Sequence, residues 1–286
     1  MGILFVAGRK NGAFPPTQNR FLFTQNAERR KTEHITSVPR YMKRNWTREE
    51  AIIALYVYAQ IPLRECSKKH PLVVEYAKIL GRTPDSLNMK IANFARLDPC
   101  LKAQKISGLR NGAKIDEEVW RESRADPDKF EAECKRLVAE YTAQSVAACE
   151  NGGSIPRERD ISFFRRAVLC AYDHKCCISG VCGGNDDALL DVARIEESVP
   201  NRNADPCNGL CLNVFFRRAY DAMLVAVDFN MKIAVSPNLI HMVRETEFQD
   251  YLAGLNGREI SRPERFSPDE SLLAKHFSRF SALALG

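Results

Sequence analysis

The sequence lacks any long apolar run. Its longest apolar stretch, residues 51–59, is far shorter than the ~18 to 20 residues that span a bilayer. The first seven residues also lack the positively charged region and the apolar length of a secretory signal. We therefore expect a cytoplasmic protein that has no membrane partner.

The composition departs little from ordinary globular usage. Apolar residues make up 45% and charged residues 27% of the chain, which argues against wholesale disorder, collagen and coiled coil. No internal repeat is visible. At 286 residues the chain has the length of two domains of ~100 to 200 residues each.

Charge is distributed unevenly along the chain. Residues 1–45 contain nine basic and two acidic residues, and the rest of the chain is close to neutral. A basic segment with few apolar runs can stay extended and neutralise phosphates. We interpret residues 1–45 as a basic N-terminal arm that either contacts nucleic acid or remains a solvated tail.

Residues 46–147 are predicted to form a helical module. Thr47 with Glu50 predicts a capping box for a first helix, Gly81 predicts the end of a second, and Thr83 followed by Pro84 predicts the start of a third. Residues 116–141 continue as a long connector helix that is broken at 126–127.

The third helix gives the module a helix-turn-helix character. Its buried side is predicted from Leu87, Ile91, Phe94 and Leu97, which leaves polar and basic side chains outward. Such a face suits the major groove of DNA, and ordinary solvent exposure is the alternative. The candidate DNA-binding residues on it are Asn88, Lys90, Asn93 and Arg96.

A linker rich in Gly, Ser and charge, residues 148–160, separates this module from a C-terminal domain, residues 161–286. The second domain is predicted to contain a helix at 161–172, two segments at 188–195 and 208–213 with a polar loop between them, a further segment at 215–221 and a hairpin at 224–235. Helices are also predicted around 247–252 and over 272–283. The fold class is α+β.

The motifs of this chain resemble those of the HNH endonucleases of bacterial restriction type. The resemblance covers about 190 residues, from 45 to 235. It rests on Asn-Trp-Thr-Arg-Glu-Glu at 45–50, Leu-Gly-Arg-Thr-Pro at 80–84, Arg-Arg-Ala-Val-Leu at 165–169 and Asn-Gly-Leu-Cys-Leu at 208–212. It implies a C-terminal ββα-metal domain in which a general-base histidine and a metal-binding histidine cleave DNA.

The chain departs from the family at both of these histidines. Arg194 occupies the general-base position and Phe216 the metal-binding position, and only Asn208, which orients the loop in the family, remains. A guanidinium cannot accept a proton near neutral pH, and a phenyl ring cannot bind a metal. We expect cleavage by the usual route to be lost or impaired, with Asn208 and Arg194 as the remnants of the catalytic set.

The remaining arginines suit phosphate binding. The resemblance places Arg194, Arg217 and Arg218 where the scissile phosphate and the metal meet, so we expect them to bind double-stranded DNA. Alternatively, they are solvated or paired with nearby acidic residues. The favoured function is therefore DNA binding without cleavage, and no cofactor is expected.

Two other functions remain open from the sequence. One is an active restriction or defence endonuclease with a non-standard carboxylate site, in which Asp191 and Glu197 bind Mg²⁺ or Mn²⁺. The other is a non-cutting subunit that pairs with an intact HNH partner or with a second copy of this chain.

Six of the ten cysteines lie within residues 170–211. Cys176 or Cys177 with Cys182, and Cys207 with Cys211, would make a zinc site, but neither pair has the Cys-x-x-Cys spacing of structural zinc ligands. We expect reduced, packed thiols and no structural zinc.

Overall fold

The computed structural model describes residues 44–104, 112–147 and 162–284. The basic arm, apart from its last two residues, and the predicted linker 148–160 lie outside the described residues. Within those residues, no helix is both long enough and apolar enough to cross a membrane.

The first part of the fold is helical, as predicted. Its first four helices are α1 (Arg48–Tyr58), α2 (Pro71–Ile79), α3 (Pro84–Ala95) and α4 (Pro99–Ala103). The capping box of Thr47 and Glu50 is present, and the Thr83 side chain caps α3. Gly81 has a φ of 61°, a conformation that costs a glycine little. The local signals in the sequence therefore set these boundaries.

The predicted connector consists of two helices that also pack against the module. They are α5 (Lys114–Ala125) and α6 (Pro127–Ala147), and the break between them falls at Asp126, as expected. Both helices contact α1, and α5 also contacts α3. Every residue of α1 from Glu50 to Tyr58 is consequently buried.

The prediction that α3 presents an outward polar face is wrong at Lys90. This side chain is 3% exposed, and its Nζ lies 2.5 Å from the carboxylate of the fully buried Asp116 on α5. Asn93 donates to the same carboxylate, and Arg96 pairs with Glu117. Asn88 is half-buried and accepts from Cys66. Helix α5 covers this side of α3, and Lys90, Asn93 and Arg96 therefore meet its carboxylates.

The second part of the fold centres on a small antiparallel sheet. Helix α7 (Phe163–Ala171) is followed by β1 (Leu190–Arg194), β2 (Gly209–Asn213) and α8 (Val214–Asp221). The two strands pair antiparallel, with Arg194 opposite Gly209. Helices α7 and α8 both contact β1 and β2, which buries the Leu210–Cys211–Leu212 core of β2.

A second hairpin and three helices complete the chain. Strands β3 (Val225–Val227) and β4 (Ile233–Val235) pair antiparallel, as predicted. They are followed by α9 (Pro237–Met242), α10 (Thr246–Leu255) and α11 (Glu270–Ala284). Helix α11 contacts β3, and this contact brings the end of the chain back to the central unit.

One buried arginine joins the two parts. Arg265 is 0% exposed. It donates to the carbonyl oxygen of Tyr58 at the end of α1, to that of Ile61 just beyond the helix, and to Cys170 on α7. Residues 41–286 accordingly form a single compact unit. The structure therefore ties the helical module to the C-terminal region through the interior.

The Lys90–Asp116 pair gives a stability prediction. Lys90→Met removes the cation and leaves the Asp116 carboxylate buried without it, so we expect the free energy of unfolding to fall by about 3 to 5 kcal/mol. Urea unfolding measures this loss. The matched control is Lys69→Met at an exposed lysine, and equal unfolding of the two variants would contradict the buried pairing.

Candidate functional site

Arg194 lies at the end of β1 and is exposed, as its proposed role requires. Its Nε donates to the carbonyl oxygen of Asn203 at 3.0 Å, and its guanidinium lies 4.9 Å from the ring centroid of Phe164. No carboxylate pairs with it among the described residues. Arg194 is thus oriented by a carbonyl and an aromatic ring, and its charge remains uncompensated.

Phe216 lies inside the protein. The Asn213 side chain caps α8 by accepting from the backbone nitrogen of Phe216, and the Phe216 ring is 2% exposed. It packs in the hydrophobic core and meets the exposed Phe215 edge to face. The position that the sequence resemblance matches to a metal ligand therefore contributes packing in this structure.

Asn208 is fully buried and shapes the loop between β1 and β2. Its amide oxygen accepts from the Glu196 backbone nitrogen at 2.9 Å, and its amide nitrogen donates to the Glu196 carbonyl at 2.8 Å. Gly209 is extended, and a Cβ there would collide with Val168 of α7. Asn208 ends a short 3-10 turn, Pro206–Asn208, and the Asn-Gly pair therefore closes the loop and allows close packing against α7.

Arg217 and Arg218 have different environments. Arg217 forms an ion pair with Asp221 one turn along α8, and its Nε lies 3.8 Å from Asp191. Arg165 on α7 also binds Asp191, at 2.9 Å. Arg218 is exposed and has no ion pair within the described part of the chain. Pairing thus holds for Arg217, and Arg218 keeps an available charge.

Among the described residues, Asp191 and Glu197 are not part of a metal-binding cluster. Asp191 is already contacted by Arg165 and Arg217, and Glu197 is exposed. Nowhere in 44–104, 112–147 or 162–284 do three or more His, Cys, Asp or Glu side chains form a group that could hold a metal ion.

The cysteines of the C-terminal region are free thiols. Cys176, Cys177 and Cys211 are buried, whereas Cys182 is exposed. Burial raises the pKa of Cys177 and of Cys211 above the usual thiol range, and it raises the pKa of Cys207 to about 12. Protonated thiols of this kind pack as small apolar groups.

A pocket of about 580 Å³ opens beside Arg194. The loop after β1, the C-terminal turn of α8 and helix α11 form its walls. Of the predicted site residues it includes Arg194 and Glu197, whereas Asn208 lies behind the loop. The other charged and polar lining side chains are Glu196, Ser198, Tyr220, Asp221, His276 and Arg279.

His276 is one of several lining residues that the sequence did not indicate. It comes from α11, outside every motif, and its ring stacks on Tyr220 with centroids 4.0 Å apart. Burial, together with the charge of Arg279, lowers the pKa of His276 to about 4. The imidazole is therefore neutral near pH 7, and a hydrogen-bonding partner for its buried Nδ1 is absent from the described structure.

Glu196 holds α11 against the loop. It is 3% exposed and binds Arg279 at 2.7 Å and Lys275 at 3.4 Å. Burial acts to raise the pKa of Glu196, but these two cations outweigh it, so the pKa is lowered overall. The Asn208 side chain also holds the backbone of Glu196 by two hydrogen bonds. Both the side chain and the backbone of Glu196 are therefore held in place at the pocket wall.

The pocket gives a pH prediction that compares the wild type with His276→Phe, which keeps a ring against Tyr220. Both native and unfolded His276 are neutral above pH 6.5, but below it the unfolded histidine binds a proton that the native one resists until about pH 4. The wild type should therefore lose about 2 to 3 kcal/mol of unfolding free energy relative to the variant between pH 7.5 and pH 4.5.

Urea unfolding at the two pH values measures this difference. Arg279 and Glu196, the charged groups that act on the His276 ring, are present in both proteins, so their own titration largely cancels in the comparison. If both proteins lose the same unfolding free energy between the two pH values, the pKa of His276 is not lowered in the native protein.

Comparisons with known proteins identify no relative: no family model, no curated protein and no solved structure matches the chain. The HNH resemblance therefore depends on the sequence motifs alone.

Proposed function

We propose that this protein binds double-stranded DNA through the phosphate backbone and belongs to the HNH endonucleases as a member whose cleavage centre has degenerated. The observation that carries the proposal is the charge of the β1–β2–α8 unit. Arg194 and Arg218 are exposed there and have no carboxylate partner in the described residues, at and beside positions where the resemblance implies catalysis. An available guanidinium matches a phosphate in charge and geometry.

The order of the elements also supports the proposal. Two antiparallel strands followed directly by a helix that packs on both agree with the ββα unit that the motifs imply. Asn208 in this unit holds the loop by two hydrogen bonds to the Glu196 backbone. This agrees with the loop-orienting part of its expected role.

The residues at the two histidine positions argue against hydrolysis. Arg194 cannot take a proton from water, and Phe216 offers no ligand atom. His276 is the histidine that lines the pocket beside Arg194, but its pKa of about 4 makes it a weak general base. What the unit retains is the capacity to hold a phosphate.

Binding should depend on salt through these two arginines. Arg194→Gln and Arg218→Gln should each weaken DNA binding for all sequences. Each should also make the negative slope of log K against log salt shallower by about 0.9 per lost contact. Fluorescence anisotropy with a labelled duplex at several salt concentrations measures the slope. The control is Arg121→Gln at an exposed arginine of α5; an unchanged slope in both site variants would contradict the proposal.

Plasmid DNA should remain intact. With Mg²⁺, Mn²⁺ or Ni²⁺, we expect no conversion of supercoiled plasmid to the nicked form, since losing a general base costs ~10² to 10⁴ in rate and losing the metal costs more. Agarose gels check this. Metal-dependent nicking that disappears in Asp191→Ala or Glu197→Ala would instead establish the carboxylate endonuclease.

A further inference from the structure

We infer that the pocket beside Arg194 accepts an unpaired nucleobase carrying an exocyclic amine, while Arg194 holds the adjoining phosphate. The inference rests on the proposed function, because it requires DNA to lie along the β1–β2–α8 unit. It adds to that proposal a second recognition step, in which one nucleotide leaves the helix.

The size of the pocket exceeds what backbone binding requires. A phosphate contact needs only the exposed guanidinium of Arg194, yet this residue also lines an open pocket of about 580 Å³. Ligand pockets in proteins usually enclose ~300 to 1,000 Å³. The space is therefore in the range of pockets that take a heteroaromatic ring together with its sugar.

Two polar atoms deep in the wall await a partner. The Nδ1 of His276 and the hydroxyl of Tyr220 are both buried and have no hydrogen bond in the described structure. The two side chains are 2% and 1% exposed. Buried polar groups are normally satisfied, and because these two side chains also line the pocket, we assign a bound ligand as the partner of these atoms.

The charges select a neutral ligand. Glu196 is compensated by Arg279 and Lys275, and Asp221 by Arg217, but Glu197 has no ion pair among the residues that the structure describes. A free carboxylate repels an oxyanion and accepts from an exocyclic amine, as Asp and Glu do with cytosine. The arrangement therefore favours a base in the pocket and leaves the phosphate at Arg194.

A base can reach the pocket only by leaving its stack. Unstacking and unpairing cost a few kcal/mol, and least for a base that is already mismatched. Arg194 would contribute both to phosphate binding and to entry of the base, because its side chain is exposed to solvent and also lines the pocket. A protein of this kind should therefore bind a mismatched duplex more tightly than a matched one.

The experiment compares two duplexes that differ only at one central pair, which contains 2-aminopurine opposite either thymine or cytosine. We expect the mismatched duplex to bind about tenfold more tightly, since unpairing is partly paid in advance. We also expect 2-aminopurine fluorescence, which stacking quenches, to rise severalfold when the protein binds.

Two pocket variants and one control test the location. Glu197→Gln removes the free carboxylate, and His276→Phe removes the orphaned nitrogen but keeps the ring; both should abolish the tenfold preference and the fluorescence increase. Glu118→Gln, at an exposed glutamate of α5, should change neither.

The outcomes separate this inference from the proposed function. Binding to both duplexes with equal affinity and no fluorescence change overturns the inference and leaves backbone binding intact. A mismatch preference that survives in both pocket variants also overturns it, because the preference then arises elsewhere. No binding to either duplex at low salt overturns both.

Discussion

The structure depends most on a buried charge that connects distant segments. Arg265 donates to backbone carbonyls at the end of α1, and its guanidinium lies 4.5 Å from the ring centroid of Tyr58. The Tyr58 hydroxyl in turn donates to the buried Asp98 at 3.0 Å. Burying a guanidinium is costly unless hydrogen bonds and nearby opposite charge compensate for the lost water. Both terminal nitrogens of Arg265 are hydrogen-bonded and Asp98 is near, whereas its Nε has no partner in the described structure. Detaching the C-terminal segment from the helical module would therefore break these hydrogen bonds.

Elements with local causes could be predicted from the sequence. The starts of α1 and α3, the stop at Gly81 and the break at Asp126 each follow from side chains within a few residues. The pairing of β1 with β2 was implied only by the resemblance, through its ββα unit. The covering of α3 could not be predicted in this way, because Lys90 is buried by Asp116, which lies 26 residues away. Periodicity shows which side of a helix is apolar, but a long basic side chain can enter a core whenever another element supplies its counter-charge.

The candidate site divides in the same manner. The motif positions predicted Arg194 at the end of a strand, where it lies, whereas Asn208 lies in the loop directly before β2. The sequence could not distinguish Arg217 from Arg218, because the distinction depends on which of them meets Asp191 and Asp221. Nor could it indicate His276, which lies 82 residues beyond Arg194 in the printed sequence and reaches the pocket only because α11 packs against β3. No spacing rule carries that information.

Under the proposed function, absent catalysis and a retained pocket are compatible because they depend on different groups. Phe216, at the position that the resemblance matches to a metal-binding histidine, has no ligand atom and packs in the core. Arg194, at the position that the resemblance matches to the base, is a permanent cation that lines the pocket. The loop after β1 is held by Asn208 and by the Glu196 pairs with α11. The shape of the pocket therefore depends on these hydrogen bonds and ion pairs, and the proposed phosphate binding requires only that shape and the charge of Arg194.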